Sequence, residues 1–193
     1  HESSFLMSQV DPSSFLRAQE FVRKRYELTS MNFTRTQDIM PYVDEMFDLF
    51  NTTYSNLASF VAITEIQKAY FKKKYIPFIN PEYIKFIFDK NHKMVAFTIV
   101  MPSFSEALQK AKGKLFPFGF YHLLQAKKHS KEVLFYLIGI APEYQNKGVT
   151  AIIFDDYFKT FKANGITKCI RTPELKENHS IHIECKNEQK SVL

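Results

Sequence analysis

Leu137-Ile138-Gly139-Ile140-Ala141-Pro142-Glu143-Tyr144-Gln145-Asn146-Lys147-Gly148-Val149-Thr150-Ala151 reads as a buried strand, a tight loop and the first turn of a helix. The apolar run from Val133 to Ile140 suits a central strand, and Pro142 ends it. From Gly148 to Lys162 the apolar residues Ile152, Ile153, Tyr157 and Phe161 recur at helical spacing, and Gly165 stops the helix. A helix opening straight after a strand turns its first main-chain N–H groups outward at the positive end of its dipole. Such a turn is suited to anions. Gly148 lets a phosphate approach the backbone without a Cβ, and Lys147 adds a cation, so a diphosphate is the natural guest. A strand-to-helix turn with glycine for steric reasons alone would use the same residues.

Working outward, Thr167 to Arg171 reads as a short strand after this helix. Upstream, Tyr83 to Phe88 and Met94 to Met101 are two strands joined by the polar turn Asp89-Lys90-Asn91-His92-Lys93, a hairpin. Before it, Thr64 to Tyr75 spaces Ile66, Ala69, Tyr70 and Phe71 along a helix ending in Lys72, Lys73 and Lys74, and Pro77 closes it. Asp38 is placed to cap another helix with Ile39, Tyr42, Val43, Met46, Phe47 and Phe50 on its inner face and Pro41 in its first turn. Tyr26 to Phe33 alternates weakly, as a strand would, and Pro12 to Arg25 has helical spacing. Helix, helix, hairpin, strand, helix, strand is the order of an α/β or α+β protein with a mixed sheet. We expect residues 1–25 to be a connector helix, the remnant of an upstream region, and 26–193 to be the domain, with an aromatic and basic insertion at 103–131.

A chain of 193 residues, 45% hydrophobic with 20 Phe and 10 Tyr, is long enough for one real core and short for two. Five glycines and eight prolines exclude collagen-like and Gly-rich linker classes. Its longest apolar run is far below the roughly 20 residues that span a bilayer, so no membrane span is expected. Two cysteines make no disulfide framework, and without a visible signal sequence the cytoplasm is the expected compartment, although a chain starting at His1 has lost its true beginning. The 26 Lys and Arg against 20 Asp and Glu favour anionic partners without choosing among them.

The run Gln145 to Thr150 resembles the acetyl-coenzyme-A signature of the GNAT acetyltransferase superfamily, Gln/Arg-x-x-Gly-x-Gly/Ala, with Thr150 in place of the usual small residue. The order of elements from Tyr26 to Glu184 is similar too. More narrowly, Tyr75 to Pro81, Met101-Pro102-Ser103, Leu108 to Phe120 and Pro173 to Asn178 resemble the C-terminal half of a bacterial GNAT-like group, the YghO-like proteins. The resemblance implies a GNAT-like acyl-CoA N-acyltransferase fold. Ile138, Gly139 and Ile140 would meet the pantetheine arm. Gln145, Asn146, Lys147, Gly148, Val149, Thr150 and Ala151 would hold the pyrophosphate of acetyl-CoA or another acyl-CoA. An amine of unknown identity would attack the thioester directly. The alternative it leaves is a non-catalytic CoA-binding or interaction domain.

Superfamily members often place an Asn after the next strand and a proton-donating Tyr seven residues later. Asn178 fits the first position, and Cys185 stands in the second. The chain stops at Leu193 where the fold supplies two closing strands, so we expect an unpaired sheet edge. Glu143 and Tyr144 flank the anion loop and are candidates for base or substrate contact, with Glu174, Glu177 and Tyr54 as further bases. His179, His182 and Cys185 share a spacing of three, but without a carboxylate or Cys pair they do not make a zinc site, and no metal is expected. The insertion interleaves Lys110, Lys112, Lys114, Lys127 and Lys128 with Phe116, Phe118, Phe120 and Tyr121. It reads as a lid, a dock for an acidic acyl carrier protein, a nucleic-acid surface or a simple cover for the core. Aromatics broken by Pro117 and Gly119 favour a packed lid, and no nucleic acid is expected.

Overall fold

A computed structural model describes residues 3–57, 60–103 and 130–171. In chain order the elements are β1 (Ser3–Leu6), α1 (Ser13–Tyr26), β2 (Thr29–Asn32), α2 (Thr36–Ile39), α3 (Val43–Tyr54), α4 (Glu65–Lys74), β3 (Ile84–Phe88), β4 (Met94–Pro102), β5 (Glu132–Ile140), α5 (Val149–Ala163) and β6 (Lys168–Arg171). One sheet runs β1-β6-β5-β4-β3-β2. Its neighbours are antiparallel except β5 and β6, which are parallel because α5 carries the chain back across the sheet between them.

Side-chain alternation divides the core between the two faces of the sheet. Ile84, Phe86 and Phe88 meet Val43, Met46 and Phe47 of α3, while Ile87 joins Val22 of α1 and Ile152, Ile153, Tyr157 and Phe161 of α5. The result is helix, sheet, helix. Local chemistry sets the element ends. Thr64 and Gln67 cap the start of α4 reciprocally, the Gln67 N–H donating to Thr64 Oγ1 and the Thr64 N–H to Gln67 Oε1. The Asp89 carboxylate accepts from the Asn91 and Lys93 N–H groups and so closes the β3–β4 turn.

Three expectations change. Residues read as a connector belong to the domain: β1 pairs with β6, and α1 lies against α5. The edge expected to stay open beside β6 is therefore covered by the N-terminal strand, from Ser3 opposite Arg171 to Leu6 opposite Lys168. The helix expected from Asp38 is broken into α2, a turn of 3-10 helix at Met40–Tyr42 that contains Pro41, and α3. Pro41 has no N–H for the helical ladder, and Asp38 pairs with Arg35 rather than capping.

Buried phenols make the fold sensitive to alkali. The Tyr157 hydroxyl lies 2.7 Å from the Tyr83 carbonyl oxygen and 3.0 Å from that of Thr98. Burial, reinforced by Asp156, raises its pKa well above the ordinary value. Tyr83 is pushed up to about 12, chiefly by burial and then by Glu82 and Cys169. A phenol whose pKa is raised by folding contributes stability that is complete below its unfolded value, 10.0, and lost as pH climbs through the folded one. Lys85 acts oppositely: burial lowers its pKa, so its penalty is relieved as pH rises toward 10.5. The phenols act over the higher window. Urea midpoints are expected to fall above about pH 10, with Tyr83 supplying on the order of 2 to 3 kcal/mol of the loss. Tyr83→Phe should flatten this fall; an unchanged curve would contradict the assignment.

Candidate functional site

The register of β5 decides which of its main-chain groups are available. Ala96 lies opposite Ile140, and the Ala141 N–H donates to the Val95 carbonyl at 2.8 Å. Alternate residues of β5 therefore turn their N–H and C=O toward β4, and Ile138 and Ile140 turn theirs to the other edge. Among the described residues, pairing with β6 runs from Glu132 to Leu134 and then ceases. A register shift between Ile99 and Val100 of β4, where Leu137 and Phe135 are their partners, marks a bulge at the same level of β5. Gly139 itself has a packing reason: a Cβ there would lie 2.2 Å from Phe97 Cε1.

Beyond Ile140 the chain makes the 3-10 turn Pro142–Tyr144, passes Asn146 at φ 60° and Gly148 at φ 79°, and enters α5. The N–H groups of Lys147, Gly148 and Val149 have no acceptor among the described residues. Lys147 is exposed, and its ammonium is held over two rings, 5.4 Å from the centroid of Tyr26 and 5.5 Å from that of Tyr144. An anion therefore finds three main-chain donors and a positioned cation together. Gly148 needs its positive φ, and a Cβ would stand 3.0 Å from Val22 Cγ2, so the glycine serves the packing of α1 as well as the turn.

The edge carbonyls are not open. Tyr54 Oη donates to the Ile138 carbonyl at 2.7 Å, while Gln145 Nε2 at 3.1 Å and Thr53 Oγ1 at 3.4 Å donate to that of Ile140. The resemblance puts the diphosphate of a coenzyme A at this loop, whose N–H groups and Lys147 ammonium suit an anion. The pantetheine part could draw on the N–H groups of Ile138 and Ile140 as they stand, but would have to displace Tyr54, Thr53 or Gln145 to use their carbonyls. Tyr54, named from the sequence as a candidate base, thus places its hydroxyl on the β5 edge, whereas Thr53 carried no signal at all.

The other expected residues scatter. Glu143 faces the hairpin turn, 3.8 Å from Lys93 Nζ, rather than the β5 edge. Burial raises the Tyr144 pKa, helped by Asp89 and Glu143 and opposed by Lys90, so this phenol is a proton donor rather than a base at neutral pH. Val149 and Thr150 are buried and Ala151 half-buried. Asn178, Cys185, Glu174, Glu177, His179, His182 and the insertion from Phe104 through Phe116 to Lys128 lie outside the described residues. Among the described residues no His, Cys, Asp and Glu side chains gather into a metal-holding group, and no helix is long and apolar enough to cross a membrane.

The strand order and the parallel β5–α5–β6 unit give this α/β domain a mixed sheet of GNAT-like fold. No family model matches the chain. Protein YghO of Escherichia coli (strain K12) is 28% identical over 134 residues, 68% of this chain, and the match spans about a third of that protein. The structure of L-PGS from Bacillus licheniformis superposes at a TM-score of 0.51 and 15% identity, over 89% of this chain and 45% of that one. This likeness speaks for the fold alone. A GCN5-related glucosamine N-acetyltransferase region in a fungal multi-domain GH3 beta-N-acetylglucosaminidase superposes at 0.49 and 10% identity, over 88% of this chain and 17% of that one.

Proposed function

We propose that the domain is an N-acyltransferase that lays an acyl-CoA along the β5 edge that carries Ile138 and Ile140, with its diphosphate at the turn from Asn146 to Thr150. The observation that supports this most is one of placement. The edge carrying Ile138 and Ile140 runs directly into three N–H groups without acceptors, beside the positioned ammonium of Lys147. In the reaction an amine nitrogen attacks the thioester carbonyl, the C–N bond forms and the C–S bond breaks. The amine loses a proton to a base and the departing thiolate gains one. N–H groups of the β5 edge are suited to the negative charge that develops on the carbonyl oxygen. The acceptor is an amine of unidentified class, and the acyl group is acetyl or longer.

A second reading, a domain that holds coenzyme A without turning it over, is favoured by the side chains already seated on the Ile138 and Ile140 carbonyls. Titration calorimetry with acetyl-CoA tests both readings. The chain is expected to bind, and Lys147→Glu should weaken binding about tenfold or more by reversing an exposed charge next to the diphosphate. Because Lys147 is exposed, the melting temperature should hardly move. Thiol release in the presence of an amine panel then separates enzyme from binder. A chain that binds no acetyl-CoA sinks both readings.

A further inference from the structure

Six of the nine large apolar side chains that lie exposed among the described residues fall within one stretch: Leu57, Val61, Ile66, Tyr70, Tyr75 and Phe78. Ile66 is 84% exposed and Val61 82%. Single exposed hydrophobics are ordinary, whereas a contiguous set marks a surface that meets something apolar. Ile66, Tyr70 and Tyr75 form such a set. Ile66 and Tyr70 are one turn apart on α4, and Tyr70 packs against Tyr75 with ring centroids 5.8 Å apart. Of the apolar positions Ile66, Ala69, Tyr70 and Phe71 read along this helix, Phe71 turns inward, to Phe47 at 5.7 Å, and the other three are exposed.

The charges beside this face have one sign left over. Lys68 is taken by Asp48 at 2.6 Å and Glu65 at 2.7 Å, and Lys72 by Asp44 at 2.7 Å. Lys73 and Lys74, both exposed, have no acidic partner among the described residues. The three carboxylates Asp44, Asp48 and Glu65 share Lys68 and Lys72, so the four lysines exceed them by one charge, and Lys73 and Lys74 flank Ile66, Tyr70 and Tyr75. The surplus is positive and lies beside apolar and phenolic groups. An anionic bilayer answers it: apolar and tyrosyl groups enter the interface while the ammonium groups meet the lipid phosphates. We infer that the α4 face, from Val61 to Phe78, is a docking surface for anionic membrane lipid. The inference is independent of what lies on the β5 edge.

Co-sedimentation of the full chain with vesicles tests it. Vesicles of phosphatidylcholine and phosphatidylglycerol in equal parts are expected to carry the protein down, vesicles of phosphatidylcholine alone to leave most of it in solution, and added salt to release it. Lys73→Gln together with Lys74→Gln should weaken binding about 30-fold, and Ile66→Asp with Tyr70→Asp should abolish it. The altered side chains are exposed, so circular dichroism and the melting temperature should stay as in the parent. No partition to anionic vesicles overturns the inference. So does sedimentation that ignores the variants, or a self-association measured by light scattering that Ile66→Asp removes while lipid binding is absent.

Discussion

Arg23→Ala is expected to destabilise the fold by about 3 to 5 kcal/mol, the range found when one partner of a buried ion pair is removed. Arg23 on α1 reaches Asp156 Oδ1 at 3.0 Å and lies 3.8 Å from Asp155 Oδ2, and both carboxylates are buried. It also donates to Gln19 at 2.6 Å and to Ser30 Oγ at 2.7 Å, so one guanidinium ties α1, β2 and α5 together. Asp155 keeps a second cation in Lys159 at 2.9 Å. Asp156 has no second salt bridge, Lys85 acting on it only through space, and its Oδ2 is buried without a hydrogen bond. Urea denaturation measures the loss. Asp156→Asn in the Arg23→Ala background should recover part of it by removing the stranded charge, whereas a loss below 1 kcal/mol in the single variant would show that the network is not what holds α1 to α5.

The second large effect concerns Gly139. Phe97 lies opposite it on β4, buried, with its ring over the space a side chain would fill. Gly139→Ala forces a Cβ to 2.2 Å from Phe97 Cε1, so the ring or the strand must move. Overpacking of this kind costs about 1 to 3 kcal/mol, and Gly139→Val should exceed it. Phe97→Leu in the same molecule should return most of the Gly139→Ala loss by clearing the space, which denaturation of the double variant reads directly. Additive losses would mean that the two positions do not share that space.

Much of the fold was legible because the signals were local. The β3–β4 hairpin announced itself through period-two apolar runs around an Asp-rich turn, and α5 through its three-four spacing and Gly165. The turn from β5 into α5 was equally readable, since a strand end, a proline and a glycine stand within a few residues. The meaning of Gly148 was not. In sequence it reads as room for a phosphate, while the folded chain shows Val22, distant in sequence, occupying the direction its Cβ would take.

By itself the sequence determined the class of the protein: alternation and helical spacing specify strands and helices residue by residue, and their order narrows the topology to a mixed α/β sheet. Only the tertiary structure decided that the N-terminal strand closes the sheet beside β6, that α3 places Thr53 and Tyr54 on the β5 carbonyls, and that α4 turns Ile66 and Tyr70 to solvent. Each of these depends on which surfaces meet across long stretches of chain. A side chain's periodicity states that it has a face, and the partner of that face exists only once the chain has folded.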